Sequence, residues 1–116
     1  MITSDELRLI ALSLPEALER ETWGESTFRA GEKIFVMLST EGDRASVKAS
    51  VEDQVALVAR EPGTFSVAAY VGRFGWITVQ LASVDPEEMR ELIVDAWRRT
   101  APKRLVTAYD RMTSAR

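Results

Sequence analysis

A chain of 116 residues with 46% hydrophobic composition has the size to fold around one core, and residues 1–116 are read as a single domain. Cysteine and histidine are both absent, which excludes disulfides, thiolate or imidazole metal sites and Ser-His-Asp or Cys-His nucleophiles, leaving carboxylate, Lys or Tyr chemistry and hard cations on oxygen. The formal charge of -3 argues against a generally basic nucleic-acid binder, and no apolar run approaches the roughly 20 residues that cross a bilayer, so a cytoplasmic protein with no membrane contact is expected.

The chain opens on a capping-box spacing, Thr3 to Glu6, followed by Leu7, Ile10, Ala11 and Leu14 at helical intervals. This predicts a helix from about Ser4 to Ser13, stopped by Pro15. An acidic connection holding Trp23 and Gly24 leads to "STFRAGEKIFVMLS", which reads as two strands around a turn at Ala30 to Glu32. The second is nearly all apolar and suits a central position. "TEGDR" supplies a turn, and "RASVKAS" alternates as a third strand, with Ser46 and Lys48 on one side and Ala45, Val47 and Ala49 on the other.

Ser50 reads as an N-cap, and Val51, Val55, Val58 and Ala59 predict the inner side of a short helix ending before "EPGT". "FSVAAY" and "WITVQL" are expected as two antiparallel strands joined through "VGRFG". Asp85 caps, Pro86 takes the first helical position, and Met89, Leu92, Ile93, Ala96 and Trp97 form a complete apolar stripe. Pro102 breaks that helix, and Lys103 to Met112 begins another, with Leu105, Ala108, Tyr109 and Met112 on one side. The element order predicts an α+β fold: a mostly antiparallel sheet of about five strands with the N- and C-terminal helices packed on one face.

That architecture leaves one sheet face open. If Ile77, Val79 and Leu81 point into the core, the period of two puts Trp76 on the open side with Ser46 and Lys48. Arg73 and Phe74 are expected to protrude from the turn just before it. "GRFG" has the GxxG spacing of phosphate-approaching loops, although a hairpin turn that needs glycine explains it as well. A cation among aromatics suits a sequence-tolerant nucleic-acid surface and equally a protein partner. The basic stretch "WRRTAPKRL" contributes Arg98, Arg99, Lys103 and Arg104. Glu16, Glu19, Glu21 and Glu25 have the oxygen donors for a divalent cation but lack EF-hand spacing. No Walker A or Rossmann pattern is present.

"LPEALERETWGESTFRAGEKIFVML", "GWITVQL" and "LIVDAWRRTAPKRL" together resemble the MmcQ/YjbR family across about Ser4 to Leu105. The resemblance implies a frataxin-like (CyaY-like) layout with a double-wing shape and the DNA-binding role commonly attached to that family. Where relatives carry a basic-aromatic "KRHW"-like segment, this chain has "GRFGW", in which Arg73 keeps one positive charge.

The expectation is therefore a non-enzymatic binding domain without cofactor or metal, with DNA as its candidate ligand. Arg73, Trp76 and Lys48 would bind on the open sheet face, helped by Arg98, Arg99, Lys103 and Arg104. The alternative is a protein-interaction or regulatory adaptor, with Trp76 as anchor and the Glu16 to Glu25 segment steering the partner. A monomer is expected, because one core accounts for the apolar stripes.

Overall fold

The computed structural model describes residues 1–114. Thr3 Oγ1 accepts from the Glu6 amide at 3.1 Å while Glu6 Oε1 accepts from the Thr3 amide at 3.0 Å, the reciprocal closure that starts α1 (Ser4–Leu12). Leu7, Ile10 and Ala11 form its buried stripe, as the spacing predicts. Beyond Pro15 the acidic connection is itself a strand, β1 (Ala17–Thr22), paired antiparallel with β2 (Glu25–Ala30). The strands β3 (Lys33–Leu38), β4 (Arg44–Val47), β5 (Phe65–Val67) and β6 (Ile77–Gln80) complete a six-stranded sheet in the order β1-β2-β3-β4-β6-β5. Every neighbouring pair is antiparallel.

Three further helices follow the order read from the sequence: α2 (Val51–Arg60), α3 (Pro86–Arg98) and α4 (Lys103–Ser114). Asp85 caps α3 through the Glu88 amide, Pro86 opens it, and Met89, Ile93, Ala96 and Trp97 are buried. Trp97 satisfies its indole N–H by donating to the Pro15 carbonyl at 3.1 Å, and Tyr109 of α4 packs on its ring at 5.2 Å between centroids. On α4 the inner side is the half-buried Leu105, Val106 and Tyr109; Ala108 and Met112, expected inward, are exposed. Ion pairs Arg60–Glu88 and Arg99–Asp53 join α2 to the two ends of α3. All four helices thus lie on one side of the sheet.

Between Phe28 and Arg29 the β2–β3 register shifts, so Phe28 faces Val36 and Arg29 faces Ile34. This bulge leaves Phe35 as the unpaired extra residue and lets the consecutive Phe35 and Val36 both enter the core, where each is fully buried.

Candidate nucleic-acid interface

The register of the sheet sorts side chains into two faces, because directly paired residues point the same way. One row of partners runs Glu19, Phe28, Val36, Val47, Ile77, Val67 across the six strands. The adjacent row runs Arg20, Thr27, Met37, Ser46, Thr78, Ser66. The first is the helix side: Phe28, Val36, Val47 and Ile77 are core residues, and Glu19 accepts from Arg8 of α1 at 2.9 Å. The second is the open side.

In β1 this alternation acts on charge. "ALERET" turns Glu19 and Glu21 toward the helices and Leu18, Arg20 and Thr22 toward the open face. The same phase places Arg29 of β2, Arg44 of β4 and Lys48 just beyond β4 on the open side. Glu25 is the strand carboxylate that joins them there, with Glu41 and Asp43 in the neighbouring β3–β4 turn. The Arg8 guanidinium beside Glu19 holds that carboxyl below the usual carboxylate range, chiefly through its hydrogen bond.

Arg29 is fixed in place without a carboxylate. Its Nε donates to Thr27 Oγ1 at 3.2 Å, and its terminal nitrogens reach Thr22 Oγ1 at 3.4 Å and the Glu32 carbonyl at 3.3 Å. Thr27 in turn donates to the Arg20 carbonyl at 2.7 Å and is buried beneath the guanidinium. Arg44 is shared with Asp43 at 3.4 Å and Glu41 at 4.0 Å, both exposed and screened. Arg20 and Lys48 form no ion pair among the described residues. The open face therefore presents guanidinium and ammonium groups above a floor in which Thr27, Ser46, Ser66, Thr78 and Gln80 are interspersed with the apolar Leu18, Ile34 and Met37.

The residues singled out in the sequence do not gather as expected. Lys48 is on the open face, half-buried. Trp76 is a correction: it stands on the strand phase of Thr78 but is only 8% exposed and offers no free ring. The reason lies in the turn before it. Gly72–Phe74 is a 3₁₀ turn held against the start of α2, and β6 begins only at Ile77. Gln54 of α2 donates to the Gly72 and Trp76 carbonyls, and Gly75, at φ 99, lies so close to Ala49 to Val51 that any Cβ would meet backbone. Expected as a strand through Tyr70, "FSVAAY" pairs only over Phe65–Val67. Arg73 protrudes as expected, with its guanidinium over the Phe74 ring at 4.7 Å.

The basic C-terminal stretch lies on the helix side and is largely neutralised. Arg98 pairs with Asp110 at 2.7 Å and Asp95 at 3.3 Å, and the Asp110 hydrogen bond raises its already high pKa further. Arg99 pairs with Asp53 at 3.3 Å and Arg104 with Glu16 at 3.8 Å, while Lys103 is exposed at the first turn of α4. These side chains cannot reach a ligand lying on the open face. The acidic segment is dispersed too, with Glu16 at Arg104, Glu19 at Arg8 and Glu25 across the sheet. Among the described residues no cluster of three potential metal ligands forms.

Two aromatics outside the expected set stand free in the solvent. Trp23 is 96% exposed at the tip of the β1–β2 hairpin and Tyr70 is 98% exposed after β5; both are non-glycine residues with positive φ, 56 and 64. The sequence signal for the Trp23 turn is Gly24 alone, since a two-residue hairpin loop ordinarily opens on Asn or Asp rather than on an aromatic. The inner side of α2 also differs from the expected one: Val51 and Val55 are exposed, and the buried side is Gln54 with half-buried Leu57 and Val58.

With this geometry in hand, comparison with known proteins gives a consistent answer. A family model described as YjbR matches residues 12–99. An uncharacterised protein of Mycobacterium tuberculosis, Rv2570, is 36% identical over 69 residues, covering 59% of this chain and 54% of that protein. Mb2600 of Mycobacterium bovis, also uncharacterised, matches to the same extent. The chain thus spans about half the length of the curated relatives it matches. A crystal structure of the Deinococcus radiodurans protein DR2400, with a domain titled DUF419, superposes with a TM-score of 0.76 at 24% identity, over 84% of this chain and 77% of that one. That likeness extends to the fold, an antiparallel sheet with helices on one side. Through the match over residues 12–99, the chain belongs to the YjbR family.

Proposed function

We propose that the chain is a non-enzymatic nucleic-acid-binding domain whose contact surface is the open face of the sheet. The observation that carries this reading is the sorting of charge by strand phase, which brings Arg20, Arg29, Arg44 and Lys48 to one face while Glu19 and Glu21 turn to the other. The overall charge of -3 is compatible with such a site, because phosphate attraction is set by the local face within a Debye length, about 8 Å at physiological salt. The DNA-binding role and frataxin-like layout implied by the family resemblance agree with this face and add no residue to it. As a cytoplasmic monomer the domain would need no cofactor.

The test is fluorescence anisotropy of a labelled oligonucleotide at several salt concentrations. Salt-dependent binding that weakens when Arg20 and Lys48 are both changed to Ala, and persists when Arg98 and Arg99 are changed together, is the expected result. Absence of binding at low salt, or equal loss from both pairs, would remove the proposal.

A second reading, a protein-interaction adaptor, is favoured by a different observation. Val51, Val55, Val67, Tyr70 and Phe74 are all exposed on α2, β5 and the following turn, where Trp76 was expected to be the anchor. A concentration series by analytical ultracentrifugation, comparing wild type with Phe74→Ser, tests whether this patch holds a second copy of the chain.

A further inference from the structure

Trp23 occupies a position that its own chemistry disfavours. Thr22 pairs with Glu25, so Trp23 and Gly24 form a two-residue hairpin loop in which both residues have positive φ, 56 and 81. That turn prefers Asn or Asp followed by Gly, because short polar side chains tolerate the left-handed region and a bulky aromatic does not. The indole gains nothing in return from the fold, since it is 96% exposed. A local rule broken without a packing gain is characteristic of a residue that meets a ligand.

Its neighbours identify the partner. Thr22, the preceding residue, receives the Arg29 guanidinium at 3.4 Å, and Arg20 lies two residues further back on the same open face. A flat aromatic thus projects from the end of a face bearing cations. Backbone phosphates can lie along the cations while a base stacks on the indole, but only if the base is unpaired and splayed outward. A duplex keeps its bases stacked inside and offers the indole no π-face.

We infer that the ligand of the open face is single-stranded nucleic acid and that Trp23 stacks one of its bases. This deepens the preceding proposal and rests on it.

Intrinsic fluorescence gives a direct test, because Trp76 and Trp97 are buried and Trp23 supplies the solvent-exposed emission. The probes are an unlabelled single-stranded DNA of mixed sequence, the same sequence as RNA, and its DNA duplex, each also followed by anisotropy of a labelled copy. Titration with either single strand is expected to quench the red-shifted emission, with the duplex binding more weakly and leaving it unquenched. Trp23→Asn is the informative variant, since Asn-Gly suits the turn and the fold is retained. It is expected to lose about 5- to 150-fold in single-strand affinity, while Trp23→Phe keeps most of it. Single-strand binding by Trp23→Asn equal to wild type, or equal quenching by duplex, overturns the stacking role and leaves the open-face reading intact. No binding of any probe by wild type overturns both.

Discussion

Gln54 donates its buried side-chain amide to the Trp76 carbonyl at 2.8 Å and to the Gly72 carbonyl at 2.7 Å, tying α2 to the start of the 3₁₀ turn and to the residue that leads from it into β6. One polar side chain thereby replaces the apolar packing that its helical position would usually provide. Because the donor is removed while both acceptors stay partly desolvated, Gln54→Leu is expected to destabilise by about 1–3 kcal/mol, two bonds at roughly 0.5–1.5 each. Urea unfolding measures this, and a red shift of Trp76 emission in the folded variant would accompany it.

Gly75 and Gly63 make an opposed pair. A Cβ on Gly75 would lie 2.4 Å from the Ala49 carbonyl oxygen, in a backbone already at φ 99, so Gly75→Ala is expected to destabilise by about 3 kcal/mol or more. Nothing lies within 4 Å of a Cβ on Gly63, whose φ is outside the left-handed range. Gly63→Ala should be neutral or stabilising by up to about 1 kcal/mol, through the unfolded chain. Thermal melts of the two variants side by side check both signs.

Acid stability should depend on the pair between α1 and β1. With its folded pKa held below the unfolded value by Arg8, Glu19 contributes stability that is fully present above the unfolded carboxylate range. That contribution disappears as pH falls through the lower folded pKa. Glu19→Gln is expected to remove about 0.5–1 kcal/mol at neutral pH, a solvent-screened value, and to flatten the fall in stability below about pH 4.5. Denaturant midpoints measured from pH 7 to pH 3 for wild type and variant would show it.

Trp23→Asn should raise stability while lowering affinity. Relief of a left-handed aromatic is worth about 1 kcal/mol or somewhat more, read as a higher melting temperature. An unchanged or lower melting temperature would mean that the turn tolerates Trp better than its φ indicates.

The faces should also separate by salt dependence. Arg20→Ala is expected to lower the slope of log affinity against log salt by about 0.7 for each single-strand phosphate that is no longer neutralised. Arg99→Ala, on the helix side, should leave that slope unchanged, and Glu25→Gln should increase affinity on the open face.

Much of the fold is legible in the sequence because its apolar periods are regular. The α3 stripe and the alternation of Arg44 to Ala49 translate directly into burial, and the capping box at Thr3 into the start of α1. β1 is hidden because its alternation sets Ala17, Glu19 and Glu21 against Leu18, Arg20 and Thr22, with no apolar face for a period of two to reveal. On α2 the inner position belongs to Gln54, whose polarity disguises it, while Val51 and Val55 mimic a buried stripe. Trp76 has the strand phase expected of it, yet its burial depends on how the preceding turn docks on a helix over 20 residues earlier in the chain. Local pattern has no access to that long-range docking. The open face itself is legible as Lys48 and Ser46 but not as Arg20 and Arg29, which require the pairing of β1.

The bulge and the β1 pairing have a consequence for how this surface tolerates change. Deleting Thr22, with the Trp23–Gly24 turn and β2 kept in place, would pair Glu21 with Glu25 and Arg20 with Ser26, swinging Arg20 beneath α1 and lifting Glu19 and Glu21 outward. The isoelectric point would scarcely move, while the dipole across the sheet would turn over. The sign of the surface is therefore a property of phase rather than of composition, and insertions or deletions in this strand should change its electrostatic polarity more than any single charge substitution.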